Sequence, residues 1–382
     1  MAAPGARRAM HAPMSDVVVI GGGVAGCASA LALARRGLSV RVLERNQGEG
    51  ASWAAAGIIG PQLEAAGDGP LARLCLASRA LYAELAASLV EATGIDVGYR
   101  QSGALRVAFT AEGREEIARE LAWQREAGLT VEICDGDGAR ARAPALCDEV
   151  AGGAWLADEA RIDPPSLMRA LRIAAERAGV LFSTGATVRR IVVEREHARG
   201  AQLEDGTKIE AGWTVLAAGS WSSLLEASGL APSAVRPVRG QIVELTPASP
   251  VLSQVVYGPG CYLSPRDDGR VLVGATMEFA GYVTAVTSRA VRDLLTAALR
   301  LAPALGDAPI GRTWAGLRPH PKDALPILGE GEIANLIFAT GHFRNGVLLA
   351  PVTAKIVAAL IAGEEPPLDL SPFSARRAGI TG

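Results

Sequence analysis

Apolar and polar positions along the chain fall into alternating strand and helix patterns. From Asp16 the sequence runs Val17, Val18, Val19, Ile20, an unbroken apolar stretch of the kind shown by strands buried on both faces. Three glycines follow, and Val24 to Arg36 then reads as a helix closed by Gly37. Ser39 to Glu44 predicts the next strand. Strand, glycine turn, helix and strand make a βαβ unit, whose parallel strands imply a right-handed crossover in a doubly wound sheet. Two later apolar runs, Thr214 to Ala218 ending in Gly219 and Leu336 to Thr340 ending in Gly341, predict returns to that sheet. Between them, about Arg236 to Ala275 alternates in short Val- and Tyr-bearing runs broken by Asp267, Asp268 and Gly269, which predicts antiparallel strands. Helical periodicity covers Leu71 to Ala92, Glu112 to Ala127, Pro165 to Ala178, Ser288 to Leu301 and Val347 to Ala362.

The expected class is therefore α/β with an α+β two-domain arrangement: a Rossmann-like, dinucleotide-binding domain from 15–85, 150–225 and 312–375, and a mixed, largely antiparallel second domain from 86–149 and 226–311. A length of 382 residues fits two interleaved domains. Residues 1–14 carry Arg7 and Arg8 without an apolar core, so they are expected to be a disordered leader rather than a signal peptide.

Composition narrows the partners. Thirty-eight Lys and Arg balance forty Asp and Glu, so no global field recruits nucleic acid or an anionic membrane, and a small molecule is the better partner. No apolar run reaches the roughly 18 uncharged residues of a membrane span. Cys27, Cys75, Cys134, Cys147 and Cys261 show no CxxC spacing and an odd total, which predicts neither a disulfide framework nor a metal site and fits a reducing, cytoplasmic setting.

Gly21, Gly23 and Gly26 form GxGxxG in the context the motif needs: after a strand and opening a helix. The first permits the turn, the second admits a pyrophosphate, and the third lets helix and strand pack. Glu44 ends the next strand, where its carboxylate can accept from a ribose diol. Such a fingerprint serves FAD and NAD alike. Ala51 to Ile59 is small and apolar, able to let backbone amides approach a flat ring or simply to start a helix beneath a loop. The glycine-rich turn at Gly341 to Gly346 precedes another helical stretch, placing amide dipoles where a reduced flavin develops negative charge; His342 and Arg344 there fit a capping pair equally well. Taken singly, Arg318 fits a surface ion pair, Tyr262 a half-buried strand position and Met277 core filler.

Four segments together carry a more specific signal: GGGVAG (21–26), ASWAAAGIIGP (51–61), WAGLRP (314–319) and ATGHFRNGVLLAP (339–351). In these the chain resembles the glycine oxidases of the D-amino acid oxidase superfamily, from Ser15 to Ala362. The resemblance implies noncovalently bound FAD, oxidation of glycine and other small amines or amino acids with oxygen as acceptor, supply of glycine imine for the thiazole ring of thiamine, and a homotetramer. It assigns Arg318 to clamp the substrate carboxylate, as a planar guanidinium does well. Arg344 lies at the same pocket, Tyr262 hydrogen-bonds or covers the substrate, and Met277 lines the wall. On the cofactor side it implicates Val24, Ala25, Glu44, Arg45, Ala51, Ser52, Ala56, Gly57, Ile58, Val188, His342, Phe343, Arg344, Asn345, Gly346, Val347 and Leu348, beside the turn glycines Gly21, Gly23, Gly26 and Gly219.

Two departures bear on specificity. The family can place a histidine before the Cys-Tyr pair where this chain has Gly260, and usually has Gly-Thr where it has His320 and Pro321. The wall near Tyr262 and the loop after Arg318 are expected to differ, with the core reaction unaffected. Alternative readings are an oxidase or dehydrogenase for sarcosine, proline or a D-amino acid, passing electrons to a carrier in place of oxygen, and a noncatalytic flavoprotein subunit.

Overall fold

The computed structural model describes residues 15–65, 67–377 and 379–381; the expected leader at 1–14 lies outside them. Val17 to Ile20 are buried on both faces of a central parallel sheet. Its order runs Ile327–Glu330, Leu336–Thr340, Lys208–Leu216, Ser15–Ile20, Val40–Glu44, Leu181–Thr184, parallel except for the first, edge strand. A hairpin, Val188–Glu194 with His197–Leu203, extends this sheet by antiparallel pairing to Lys208–Leu216. The strand order reverses between Ser15–Ile20 and Lys208–Leu216, and a ligand crevice is expected at such a switch point.

The helices Val24–Ala34, Pro164–Arg177 and Ala350–Ile361 cover one face and bury its apolar side chains in one cluster with Val17, Val19, Val42 and Ile337. Two expected helices are each divided. Leu71 to Ala92 forms Pro70–Ala80 and Tyr82–Thr93, and the break lets Tyr82 turn inward, fully buried, to donate its hydroxyl to the Val347 carbonyl. Glu112 to Ala127 forms Ala111–Glu120 and Ala122–Glu126. The last helix begins at Ala350 rather than Val347, because Phe343–Asn345 take a tighter 3₁₀ turn.

The second sheet has eight strands, ordered Ile310–Pro321, Val235–Leu245, Val271–Gly274, Cys261–Pro265, Val255–Gly258, Ala104–Ala108, Gly152–Leu156, Glu132–Asp135. All neighbours are antiparallel except Val255–Gly258 with Ala104–Ala108. Two strands fall on the other side of the expected domain boundaries. Gly152–Leu156 is hydrogen-bonded on both edges within the second sheet, and Ile310–Pro321, carrying Arg318, pairs along its length with Val235–Leu245. Helix Ser288–Leu301, capped by the Thr287 hydroxyl accepting from the Ala290 amide at 3.3 Å, packs behind this sheet. Its other face looks toward the first domain across Ala51–Ala54, where Trp314 Nε1 donates to the Ala54 carbonyl at 3.0 Å. Among the described residues no helix is long and apolar enough to cross a membrane.

Leu33 is fully buried in the cluster beneath the parallel sheet. Leu33→Ala is expected to destabilise the protein by about 2 to 5 kcal/mol through lost burial and a residual cavity; urea unfolding followed by circular dichroism measures it.

Candidate functional site

A cavity of about 1500 Å³ runs from the glycine turn to the inward face of the second sheet. It exceeds the size of an ordinary small-ligand pocket and has room for a dinucleotide with a small substrate. At its first end, Gly21 adopts φ +109° and lies against the Ala217 carbonyl, while a side chain on Gly26 would strike the carbonyl of Gly21. These two positions exclude any Cβ, so helix and strand approach as the motif requires. Helix Val24–Ala34 starts at Gly23 with no side-chain cap of its own and no acid in its first turn, leaving its amide dipoles suited to an anion. The Ser52 hydroxyl accepts from the Val24 amide at 3.0 Å, tying the Ala51–Ala54 turn to this end of the cavity.

Glu44 lines the same region and is only 7% exposed. Arg172 Nη1 donates to one of its oxygens at 3.2 Å, yet burial outweighs that partner and pushes the carboxyl up to about 7. A Cβ on Gly22 would meet this carboxyl at 2.6 Å, so the glycine leaves space beside it. Further along, the Arg45 guanidinium stands 4.5 Å from the Trp221 ring centre, and the Tyr282 hydroxyl, from the second domain, donates to the Ser220 carbonyl at 2.8 Å. Trp221 and Tyr282 both line the cavity.

At the other end, four adjacent strands build a hollow. Arg318 on Ile310–Pro321 stands opposite Val238, and its guanidinium lies down over Gly240. Tyr262 lies likewise over Gly274, so a side chain at either glycine would occupy the space of the arginine or the phenol. Arg318 Nη1 donates to the Thr276 carbonyl at 2.9 Å and, among the described residues, Arg318 makes no ion pair. Burial pushes the Tyr262 hydroxyl up to about 12 despite the nearby Arg318 charge, so it remains an O–H donor at neutral pH. The Tyr257 ring lies 5.5 Å from the Tyr262 ring, tilted by 35°, and its hydroxyl donates to Glu64 Oε1 at 3.0 Å. Glu64 Oε2 lies 2.6 Å from Arg344 Nη2, at an angle that makes this a charge contact rather than a directed hydrogen bond.

His342 is 5% exposed, and burial pushes its imidazole down to about 4. It is neutral at physiological pH, with Nε2 3.0 Å from Thr353 Oγ1. The ring ties the turn to the following helix.

The cavity brings together Gly21, Gly23, Val24, Ala25, Glu44, Arg45, Ala51, Ser52, Ala56, Gly57, Ile58, Val188, Gly219, Tyr262, Arg318 and His342 to Val347. Three expected residues stand apart. Met277 is 60% exposed and does not line the cavity, although the backbone on either side of it pairs with Gln241 and Arg239 of the neighbouring strand. Leu348 turns into the core, where its carbonyl accepts from the Ser78 hydroxyl at 2.6 Å. Gly26 acts through packing alone. The departures also resolve: Gly260 faces helix Ser288–Leu301 rather than the cavity, and His320 packs edge-on against Phe343 at 4.4 Å while the strand continues regularly through Pro321. Sequence reasoning missed Glu64, Tyr257, Trp221 and Tyr282. Glu64 lies just beyond the ASWAAAGIIGP motif, but its partners are remote in the chain and gave no local signal.

A dinucleotide groove leading to a hollow that offers a guanidinium with no carboxylate partner among the described residues defines the class: a cofactor-dependent enzyme acting on a small anionic substrate. The chain belongs to the FAD dependent oxidoreductase family, whose model matches residues 16–360. It is 40% identical over 370 residues to the bifunctional protein ThiO/ThiG of a Synechocystis species, covering 95% of this chain and 54% of that protein, so it spans about half of that relative's length. It is 36% identical over 367 residues to glycine oxidase of Geobacillus kaustophilus, covering 95% of this chain and 97% of the relative. The crystal structure of glycine oxidase from that organism superimposes with a TM-score of 0.91, covering 95% and 99% of the two chains. That of glycine oxidase from Bacillus cereus gives 0.88 at 32% identity, covering 95% and 99%. FAD fits the groove: the glycine-led helix start, with no acid in its first turn, suits a pyrophosphate, Glu44 a ribose diol, and the small residues Ala54 to Gly57 a flat ring.

Glu44 prefers its neutral form in the folded, flavin-free protein, so its contribution to stability is present below its ordinary carboxylate pKa of 4.5 and declines as pH rises toward about 7. A diol donates to the ionised form, so the linkage in binding has the opposite sign. FAD titrated into flavin-free protein is expected to bind more tightly as pH rises through about 7, and Glu44→Gln to lose this dependence; quenching of flavin fluorescence reads both. Gly240→Ala is expected to push Arg318 off its platform and weaken binding of acetate about tenfold or more, measured by calorimetry, with the circular dichroism spectrum retained.

Proposed function

We propose that the chain catalyses the oxidative deamination of glycine and similar small amino acids: glycine, oxygen and water give glyoxylate, ammonia and hydrogen peroxide. The observation that carries this reading is Arg318, a guanidinium facing the cavity with one backbone acceptor and no carboxylate partner among the described residues. A planar cation left so in a part-buried hollow gains most from a bidentate anion, and the α-carboxylate of an amino acid matches it. The protonated Tyr262 hydroxyl beside it supplies a further donor to that carboxylate.

Held by these groups, the substrate presents its α-carbon toward the stretch of cavity lined by Ala54 to Gly57 and His342 to Val347. FAD, when bound, supplies the two-electron acceptor that oxygen then regenerates. The protein's contribution is orientation and electrostatics. Arg318 and Tyr262 fix the carboxylate, and loss of the α-hydrogen with its electron pair leaves an imine that water hydrolyses. Neutral His342, bonded to Thr353, serves as structure rather than as a proton carrier. The nearby backbone amides of the Gly341 to Gly346 turn offer dipoles to negative charge developing at this side of the cavity.

In this reading the glycine imine feeds formation of the thiazole ring of thiamine, the protein works in the cytoplasm, and it assembles as a homotetramer. The relatives named above support the first of these. Arg318→Ala is expected to raise the apparent KM for glycine at least a hundredfold, with flavin content retained. A coupled peroxide assay in air with glycine measures it, and an unchanged KM removes Arg318 as the clamp.

A further inference from the structure

The cavity holds two arginines beside the expected position of the substrate, and they differ in charge balance. Among the described residues Arg318 has only the Thr276 carbonyl. Arg344 has Glu64, at 2.6 Å. Glu64 is a fixture: it ends the short helix Pro61–Glu64, its Oε1 accepts from Tyr257, and its side chain is 15% exposed. The turn beneath it is anchored by buried Gln62, whose Nε2 donates to Gln124 Oε1 and to the Thr130 carbonyl, both at 3.1 Å. The Arg344 side chain, 44% exposed, is the freer member of the pair.

We infer that Glu64 sets the preference of this site for substrates bearing a single carboxylate: by neutralising Arg344 it withholds the second guanidinium, so that an amino diacid finds one clamp where it needs two. This rests on the reading of Arg318 as the carboxylate clamp. The physical ground is a pair of like-charge costs. A second carboxylate brought near Arg344 must displace Glu64 from its ion pair or lie beside it, and either course leaves one anion uncompensated in a part-buried cavity. A neutral substituent meets neither cost. Glu64 thereby acts on selectivity through Arg344, as a positioning residue.

Two acids that differ only in the second carboxylate test the inference without turnover. Glutarate has the skeleton of iminodiacetate with CH₂ in place of NH, and butyrate is the same chain with one carboxylate removed. Binding of each to the flavin-loaded protein is measured by calorimetry for the wild type and for Glu64→Gln, whose amide oxygen still accepts from Tyr257. The expected result is that the glutarate-to-butyrate affinity ratio rises about tenfold or more in Glu64→Gln, and that the double variant Glu64→Gln/Arg344→Gln loses the gain. In parallel, kcat/KM for iminodiacetate relative to glycine rises by a similar factor. A ratio unchanged in Glu64→Gln overturns the inference. Should that variant fail to fold, Arg344→Gln is measured instead: it leaves Glu64 bare, so the ratio must fall below that of the wild type, and no change overturns the inference. If the wild type yields no peroxide from glycine while the binding ratio still shifts, the oxidase reading fails and the role of Glu64 stands.

Discussion

An arginine without a charge partner among the described residues, Arg318, is the constraint around which the second domain is organised. Arg318 stands on the edge strand of an eight-stranded sheet, and its guanidinium reaches the cavity across a flat surface on the neighbouring strand. Gly240 provides that surface, and Gly274 does the same for Tyr262 two strands away. The two long polar side chains therefore lie nearly in the plane of the sheet instead of standing up from it, and the hollow between them stays open. A cation with no carboxylate among the described residues is tolerated there because its side chain is only part-buried and because the Thr276 carbonyl takes one donor.

Four other arginines that line the cavity show what an occupied guanidinium looks like. Arg266 has Asp163, Arg270 has Glu244, Arg344 has Glu64, and Arg45 lies over the Trp221 ring. This division of labour gives the cavity a direction. The helix start at Gly23 and the Glu44 carboxyl define a nucleotide end, Arg318 and Tyr262 define an anion end, and small residues from Ala54 to Gly57 line the stretch between. Each end derives its preference from backbone and side-chain geometry set by a different sheet.

Legibility in the sequence followed the range of the interactions. The βαβ unit was readable because every part of it lies within thirty residues: the apolar run to Ile20, the glycines, the helix and Glu44. Strands returning at Thr214 and Leu336 were readable because burial on both faces leaves them apolar apart from Thr214 and Thr340. The motifs gave Arg318, Tyr262 and Arg344 through resemblance, and their local patterns alone did not. What stayed hidden depended on distant partners. Tyr257 and Glu64 are 193 residues apart, and neither stretch marks the other. Met277, given by its motif alone, does not line the cavity, and no pattern in the sequence marks its exposure. Strands Gly152–Leu156 and Ile310–Pro321 were assigned by position in the chain, whereas backbone pairing on their edges decides which sheet they join.

The interleaving of the two sheets has a consequence for how the molecule comes into being. The central parallel sheet takes its strands from 15–20, 40–44, 181–184, 208–216 and 336–340, so its core cannot close until nearly all of the chain has left the ribosome. The crevice walls at Gly21 and Ala217 come from chain positions nearly two hundred residues apart, and the Ala350–Ile361 helix that seals the sheet arrives last. Such long-range pairing is slow to form and leaves apolar strands uncovered meanwhile. Prosthetic-group capture is accordingly a late event of biogenesis, and the newborn polypeptide must survive without the ligand that its finished architecture is shaped to retain.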